Sequence, residues 1–363
     1  MIVEHNKQVI EIADEVIDIG PKAGKQGGSV VFQGSVAQLM QQDSLTSRWL
    51  CTQVPVNSSP RTIKEWIPIR HANLHNLQDL SVDIPMNALT VVSGLAGSGK
   101  SSLVAGELIR QTAGIVHISQ APIGTTSRSI PATYIGIMDE IRGLFAKENK
   151  VSASLFSYNS KGACPTCNGK GEITTDMAFM DPVTVVCEKC NGKKFNQEAL
   201  SYKYQSKNIL DIMNMTVSEA IQFFLKSPKI RYKLRKLEAV GMDYVILGQP
   251  TSTMSGGECQ RLKLASHMEE RNRIYVLDEP TTGLHGTDVA LLMALLNELV
   301  ESGNTVIVAE HNLDVIRQAD WVIDMGPKGG KNGGKIIFQG TPEALLECNY
   351  SATADYLNRD LLN

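Results

Sequence analysis

The eight residues GLAGSGKS, at 94–101, follow the apolar run LTVVS and lead into a stretch with helical spacing. Gly94, Gly99, Lys100 and Ser101 satisfy the spacing G-x4-G-K-[ST] between a strand and a helix, which commits this part of the chain to an α/β layer. Glycines at such a turn let successive backbone N–H groups face inward around phosphate, and the helix N-terminus adds its positive end. The candidate nucleotide-binding residues are therefore Gly94, Gly97, Ser98, Gly99, Lys100, Ser101 and Ser102. Lys100 reaches the β and γ oxygens and Ser101 ligates magnesium, so the expected ligand is ATP with Mg2+.

A strand ending in two adjacent carboxylates follows later, in RIYVLDEP at 273–280. Strand ends beside a phosphate loop are where an α/β fold places its ligand. Asp278 is expected to hold the magnesium hydration shell and Glu279 to polarise an attacking water, since phosphoryl transfer mostly requires positioning and charge neutralisation. His311 closes a second strand-like run, TVIVAEH, where it can hydrogen-bond a γ-phosphate. Ser255, Gly256 and Gly257, in STMSGGECQRLKLA just before a helix, form a second phosphate-binding edge by the same dipole argument.

Two phosphate-recognising surfaces on one chain resemble the ABC ATPases, in which the Ser-Gly-Gly signature of one domain closes over nucleotide held by another. The phosphate loop, Gln120 after a strand, the signature, LDEP and EH occur here in the ABC order. The resemblance makes Gln120 the loop glutamine that senses magnesium and the γ-phosphate. The expected catalytic set is Glu279, His311 and Gln120.

Cys164-x2-Cys167 and Cys187-x2-Cys190 stand 19 residues apart, each pair followed by Asn-Gly, which is the spacing of a four-thiolate zinc ribbon. The expected metal is Zn2+, held by Cys164, Cys167, Cys187 and Cys190. Cys51, Cys259 and Cys348 have no such partners in sequence. Transporter ABC domains carry no zinc ribbon between phosphate loop and signature, whereas the UvrA family of excinuclease ATPases does. SQAPIGTTSRSIPATYIGIMDEIRGLFA (119–146), CPTCNGKG, GQPTSTMSGGECQRLKLA, LDEPTTGLH and AEHNLDVIRQADWVIDMGP all resemble that family's second ATPase domain.

The resemblance implies an ABC-type P-loop ATPase head with an inserted zinc ribbon and a helical signature subdomain. It further implies dimerisation or a second ABC domain in trans, binding of duplex DNA including damaged DNA, and handover to a UvrB-like excinuclease partner whose docking region this chain lacks. Ser119 stands where the family has Asp, Thr125 where it has Arg, and the segment from phosphate loop to Gln120 is short. These departures resemble compact UvrA-like proteins, some tied to antibiotic self-protection. An ATP-binding resistance factor and a truncated product without turnover therefore remain alternatives to a repair ATPase.

The passage EHNKQVIEIADEVIDIGPKAGKQGG at 4–28 recurs as EHNLDVIRQADWVIDMGPKGGKNGG at 310–334. At a fixed offset of 306 residues, 21 of 38 positions match. A period of this length is a duplicated domain. The expected organisation is the tail of a first ABC domain over 1–55, a linker at 56–65, and a second ABC domain over 66–363. The last carries an insertion at 140–240 that contains a zinc module at 161–195. His5 is then the counterpart of His311.

With 42% apolar and 20% charged residues and a formal charge of -3, the chain has no overall basic signal, so nucleic-acid contact must come from a local patch. The candidate is KSPKIRYKLRK at 226–236, six basic residues without an acid. Such a run is ordinarily a solvated helix face; phosphate contact through Lys233, Arg235 and Lys236 is the functional alternative. VALLMALL at 289–296 is too short to span a bilayer, so no membrane partner and a cytoplasmic location are expected.

Overall fold

The computed structural model describes residues 1–363 except 5, 6, 21–26, 120, 122, 124–127, 178, 179, 269, 270 and 363. Its strands are β1 (Val16–Gly20), β2 (Ser29–Gly34), β3 (Trp66–Ala72), β4 (Leu80–Pro85), β5 (Leu89–Gly94), β6 (Ile115–Ile118), β7 (Glu172–Met177), β8 (Met180–Val186), β9 (Ile274–Asp278), β10 (Thr305–Ala309), β11 (Trp321–Gly326) and β12 (Lys335–Gly340). The chain forms two compact units, Met1–Ala121 with His267–Asn363, and Pro122–Ser266.

The first unit is built on a six-stranded sheet in the order β12-β11-β5-β10-β9-β6. All its neighbours are parallel except β11 with β12. Strands covered on both faces read as continuous apolar runs, and β10 (TVIVA) is buried at every position. Antiparallel β3 and β4 lay Ile67, Ile69, Val82 and Ile84 against Leu103, Val104 and Leu108 behind the phosphate loop, in one core with Val92, Val276 and Ile307. The stretch of helical spacing after the phosphate loop divides into a π-helix, Ser102–Glu107, and an α-helical turn, Leu108–Gln111.

Both copies of the repeat fold as the same antiparallel hairpin with the same register shift, between Asp18 and Ile19 in one and Asp324 and Met325 in the other. Their surroundings differ. β11 also pairs with β5, which leaves Ile323 fully buried, whereas β1 pairs with β2 alone among the described residues and Ile17 is 47% exposed. His5 lies outside the described residues. The helix Leu45–Cys51 is fastened by Trp49, whose ring stands 5.0 Å from that of His285. Residues 56–65 are tied down as well: Asn57 donates its backbone N–H to the Arg317 carbonyl and Arg61 pairs with Asp320 at 2.7 Å.

The second unit holds the β7–β8 hairpin and a set of helices that includes Met138–Asn149, Pro228–Ala239 and most of Gly256–His267. In Pro228–Ala239 the apolar positions Ile230, Leu234 and Leu237 are buried at helical spacing, so the basic residues between them occupy the other faces. No helix among the described residues is long and apolar enough to cross a membrane.

Candidate functional site

The sheet order brings the ends of three neighbouring parallel strands together. Ala309 of β10 is level with Val92 of β5 on one side and Asp278 of β9 on the other. Just beyond them lie the phosphate loop after β5, Glu279 after β9, and Glu310 with His311 after β10. Residues separated by more than 200 positions thus share one edge.

Within the loop, Gly94, Gly97 and Gly99 all have positive φ, and Ser98 is buried. Lys100 is 7% exposed, and its Nζ donates to the carbonyls of Gly94 at 2.8 Å and Leu95 at 3.2 Å. Burial lowers its ammonium below the ordinary lysine range, while Glu279, Glu310, Asp278 and Asp324 pull in the opposite direction. Ser101 Oγ donates to Asp278 Oδ1 at 3.2 Å, so the hydroxyl and carboxylate expected around magnesium are already adjacent. Such an all-oxygen pair is the donor chemistry that magnesium takes. Ser102 Oγ lies 3.2 Å from His75 Nδ1.

Glu279 sits at φ 45°, a left-handed conformation that a non-glycine residue adopts at a cost of about 1 kcal/mol or more. Its N–H donates to the Ala309 carbonyl at 2.9 Å, which anchors the turn on β10. His311 Nδ1 stands 3.8 Å from Glu279 Oε1 and 3.7 Å from Glu310 Oε2.

Glu310 is the residue that sequence reasoning missed. Its side chain is fully buried; Oε1 accepts from the N–H and hydroxyl of Thr281, and Oε2 accepts from the N–H groups of His311 and Asn312 at 2.8 and 3.0 Å. One carboxylate therefore ties the loop after Glu279 to the loop that carries His311. The available signal was an acid at the end of the apolar run TVIVA.

Gln120 lies outside the described residues. The signature residues belong to the second unit, where Ser255 and Gly256 are exposed and Gly257 is half-buried at the start of the helix Gly256–His267. Ser255 Oγ accepts from the Glu258 N–H, and Glu258 Oε2 accepts from the Ser255 N–H, which is a capping box. Tyr244 donates to the other oxygen of Glu258 at 2.7 Å.

Also in the second unit, all four ligand atoms of Cys164, Cys167, Cys187 and Cys190 lie within 4.8 Å of one another, and every one of these residues is buried. Cys164 and Cys187 sulfurs are 4.0 Å apart, Cys167 and Cys190 sulfurs 3.7 Å. A tetrahedral ion with metal–sulfur bonds of about 2.3 Å separates its sulfurs by about 3.8 Å, so the cluster fits a metal. Both Asn-Gly pairs, Asn168-Gly169 and Asn191-Gly192, take positive φ, which turns the chain sharply after each cysteine pair. Burial opposes ionisation of Cys164, yet the N–H groups of Cys167 and Thr166 bring its thiol down to about 7. Burial, reinforced by the neighbouring sulfurs, pushes Cys190 up to about 12. A bound cation would favour the thiolate form that metal ligation requires.

A glycine-rich phosphate loop, an adjacent Ser–Asp pair and a Glu–His pair on the adjoining strand ends define a P-loop nucleotide-binding domain of the ABC type. The chain belongs to the ABC transporter family, whose model matches residues 77–282. It is 44% identical over 398 residues to the UvrABC system protein A of Helicobacter pylori, covering 99% of this chain and 42% of that protein. The same figures hold for the UvrABC system protein A of Staphylococcus aureus. The crystal structure of UvrA2 from Deinococcus radiodurans matches with a TM-score of 0.92 at 38% identity, over 99% of this chain and 48% of that one. The chain thus spans less than half the length of these relatives.

Proposed function

We propose that this chain is the nucleotide-driven, DNA-engaging part of a UvrA-type damage-recognition protein. ATP with Mg2+ is held by Gly94 to Ser102 and Asp278, with Lys100 moving from its own loop carbonyls to the β and γ oxygens. Glu279 orients and deprotonates the attacking water, and His311 contacts the γ-phosphate. Gln120 completes that set. Ser255, Gly256 and Gly257 act on nucleotide held by another ABC domain. Residues 1–55 belong to one such domain, and residues 66–363 to another. Zn2+ bound by the four cysteines would supply a structural tetrahedron. The partners on this reading are duplex DNA, damaged DNA included, and a UvrB-like excinuclease protein.

One observation carries the reading: the phosphate loop, the Ser101–Asp278 pair and the Glu279–His311 pair meet at adjoining strand ends. Lys100→Ala removes the only cation that the G-x4-G-K-[ST] motif places on the phosphates. We expect ATP affinity to fall by roughly tenfold or more, as for loss of one charged hydrogen bond worth about 1.5–3 kcal/mol. Equilibrium binding of a fluorescent ATP analogue measures this, and an unchanged dissociation constant would remove the loop from the site.

The DNA side of the reading rests on the basic helix, and the structure changes which residues test it. Lys233 donates to the Gly136 carbonyl and Lys236 stacks over Tyr232 at 4.7 Å, so both have local roles. Lys226, Lys229 and Arg235 are exposed, Lys229 with its Nζ 3.8 Å from Glu140 Oε1. Reversing these three charges is expected to weaken duplex binding and to lower the slope of log K against log salt by about 0.9 for each phosphate no longer neutralised. Titration of damaged and intact duplex at several salt concentrations separates the readings. Equal, salt-insensitive binding by both proteins would favour the resistance-factor alternative over DNA repair.

A further inference from the structure

The second copy of the repeated glycine-rich passage lies against the phosphate loop. The β11–β12 connection, Gly326–Gly334, donates the Gly330 N–H to the Gly97 carbonyl at 3.0 Å and the Gly334 N–H to the Ser98 carbonyl at 2.9 Å. Asn76 Nδ2 donates to the Gly97 carbonyl at 3.0 Å and to the Gly330 carbonyl at 3.2 Å, joining the two loops from the side. The Gln78 N–H reaches the Gly334 carbonyl at 3.0 Å, and Gln78 Nε2 reaches the Gly333 carbonyl at 2.8 Å.

These contacts have a directional consequence. In a trans peptide the C=O and the following N–H point to opposite sides. Holding the Gly97 and Ser98 carbonyls on the glycine-rich side therefore turns the N–H groups of Ser98 and Gly99 away from it. The Ser98 N–H closes the loop on the Leu95 carbonyl, and the Gly99 N–H, turned away from the connection, is the donor that a phosphate cradle requires.

The approach is close enough to exclude side chains. A Cβ on Gly334 would stand 1.8 Å from the Asn76 carbonyl oxygen, and one on Gly329 would stand 2.5 Å from that of Ala96. In the first copy, Gly28 is the counterpart of Gly334 at the same 306-residue offset. Its φ is +80°, against +75° for Gly334, yet a Cβ there would meet nothing within 4 Å. Among the described residues, the same motif residue is therefore packed against the Asn76 backbone in the second copy and has room for a Cβ in the first.

We propose that the Gly326–Gly334 connection is a strut that sets the peptide orientation of the phosphate loop, with Gly334 and Asn76 as positioning residues for triphosphate binding. The proposal rests on the ATP-binding reading above. Its test uses the full-length chain and a fluorescent ATP analogue with Mg2+, with inorganic pyrophosphate as a competitor. Gly334→Ala is expected to weaken both ligands by roughly tenfold or more, the value of about one charge-assisted hydrogen bond. Gly28→Ala carries the same backbone penalty and is expected to bind within about twofold of wild type.

Turnover at saturating ATP separates positioning from chemistry: Gly334→Ala raises the ATP concentration needed, whereas a catalytic lesion lowers the plateau. If Gly334→Ala does not fold, Asn76→Ala removes the side brace without a steric clash and decides the matter with the same probe. Should wild type bind while the folded variants bind equally well, the strut is wrong and the nucleotide site stands. Should wild type itself fail to bind, the nucleotide reading fails and takes the strut with it.

Discussion

Glu279→Gln is expected to bind ATP as tightly as wild type and to hydrolyse it at least roughly a hundredfold more slowly, the range lost when a positioned general base is removed. The substitution keeps the shape of the side chain and its place beyond β9. What it removes is the negative charge and the ability to take a proton from water. The backbone supports this division, because the turn is anchored by the Glu279 N–H on the Ala309 carbonyl, a contact that glutamine preserves. The left-handed φ of 45° is likewise a property of the turn, and it holds the carboxylate 3.8 Å from His311. Phosphate release under single-turnover conditions, set beside equilibrium binding of the ATP analogue, measures the two halves of the expectation. Turnover within tenfold of wild type would sink the assignment of Glu279 as the base.

The rigidity this prediction assumes comes from Glu310. Its carboxylate holds Thr281, two residues after Glu279, and the backbone of His311 from one buried point. The loop after Glu279 and the backbone of His311 are thus tied to one point, and such preorganisation is what the expected division of roles requires. Glu279 and Glu310 also offset the burial of Lys100, so the acid that ties these two loops acts on the phosphate loop as well.

The legible parts of this site were those written locally in the chain. G-x4-G-K-[ST], the DE pair after an apolar strand and the twin Cys-x2-Cys pairs each fix their chemistry within a few residues, and the sheet then places the first two side by side. Glu310 was unreadable for the opposite reason. The amides of His311 and Asn312 are its chain neighbours, but Thr281 becomes a partner only because β10 lies beside β9, and that contact is what makes the acid a tie between two loops. The glycine-rich repeat was visible as a repeat, but its contact with Gly97 and Ser98 depends on β11 pairing with β5, which no local pattern states. Residues 101–111 carry the spacing of a single helix, yet the structure places a π-helix in its first half. There the buried carboxylate of Glu107 accepts the N–H groups of Asn73 and Leu74, a tertiary demand that propensity does not contain.

Removing metal is expected to have the largest structural effect on the second unit. Between the two cysteine pairs lies only the two-stranded β7–β8 hairpin, and an isolated hairpin of this kind is marginal in water. Its outward residues do not build a core: Val183, Val185 and Val186 are 45, 53 and 65% exposed. What gathers the module is the four-sulfur cluster, with the Gly171 N–H donating to Cys167 Sγ at 3.2 Å and the Cys164 N–H to the Lys194 carbonyl at 2.9 Å. A structural zinc ion in such a cage contributes on the order of 10 kcal/mol or more of apparent folding free energy at neutral pH. Chelation, or Cys187→Ser, should therefore abolish amide-exchange protection across 164–196. The purified chain should release about one equivalent of zinc as this happens, by the four-ligand stoichiometry. The cause of the loss is checked by pH as well. Protons compete with metal for thiolate sulfur, so protection should weaken as the medium is acidified and return when zinc is restored at neutral pH. Exchange protection that survives complete chelation would mean that the hairpin holds itself together and that the four cysteines are a reduced cluster with no metal to carry.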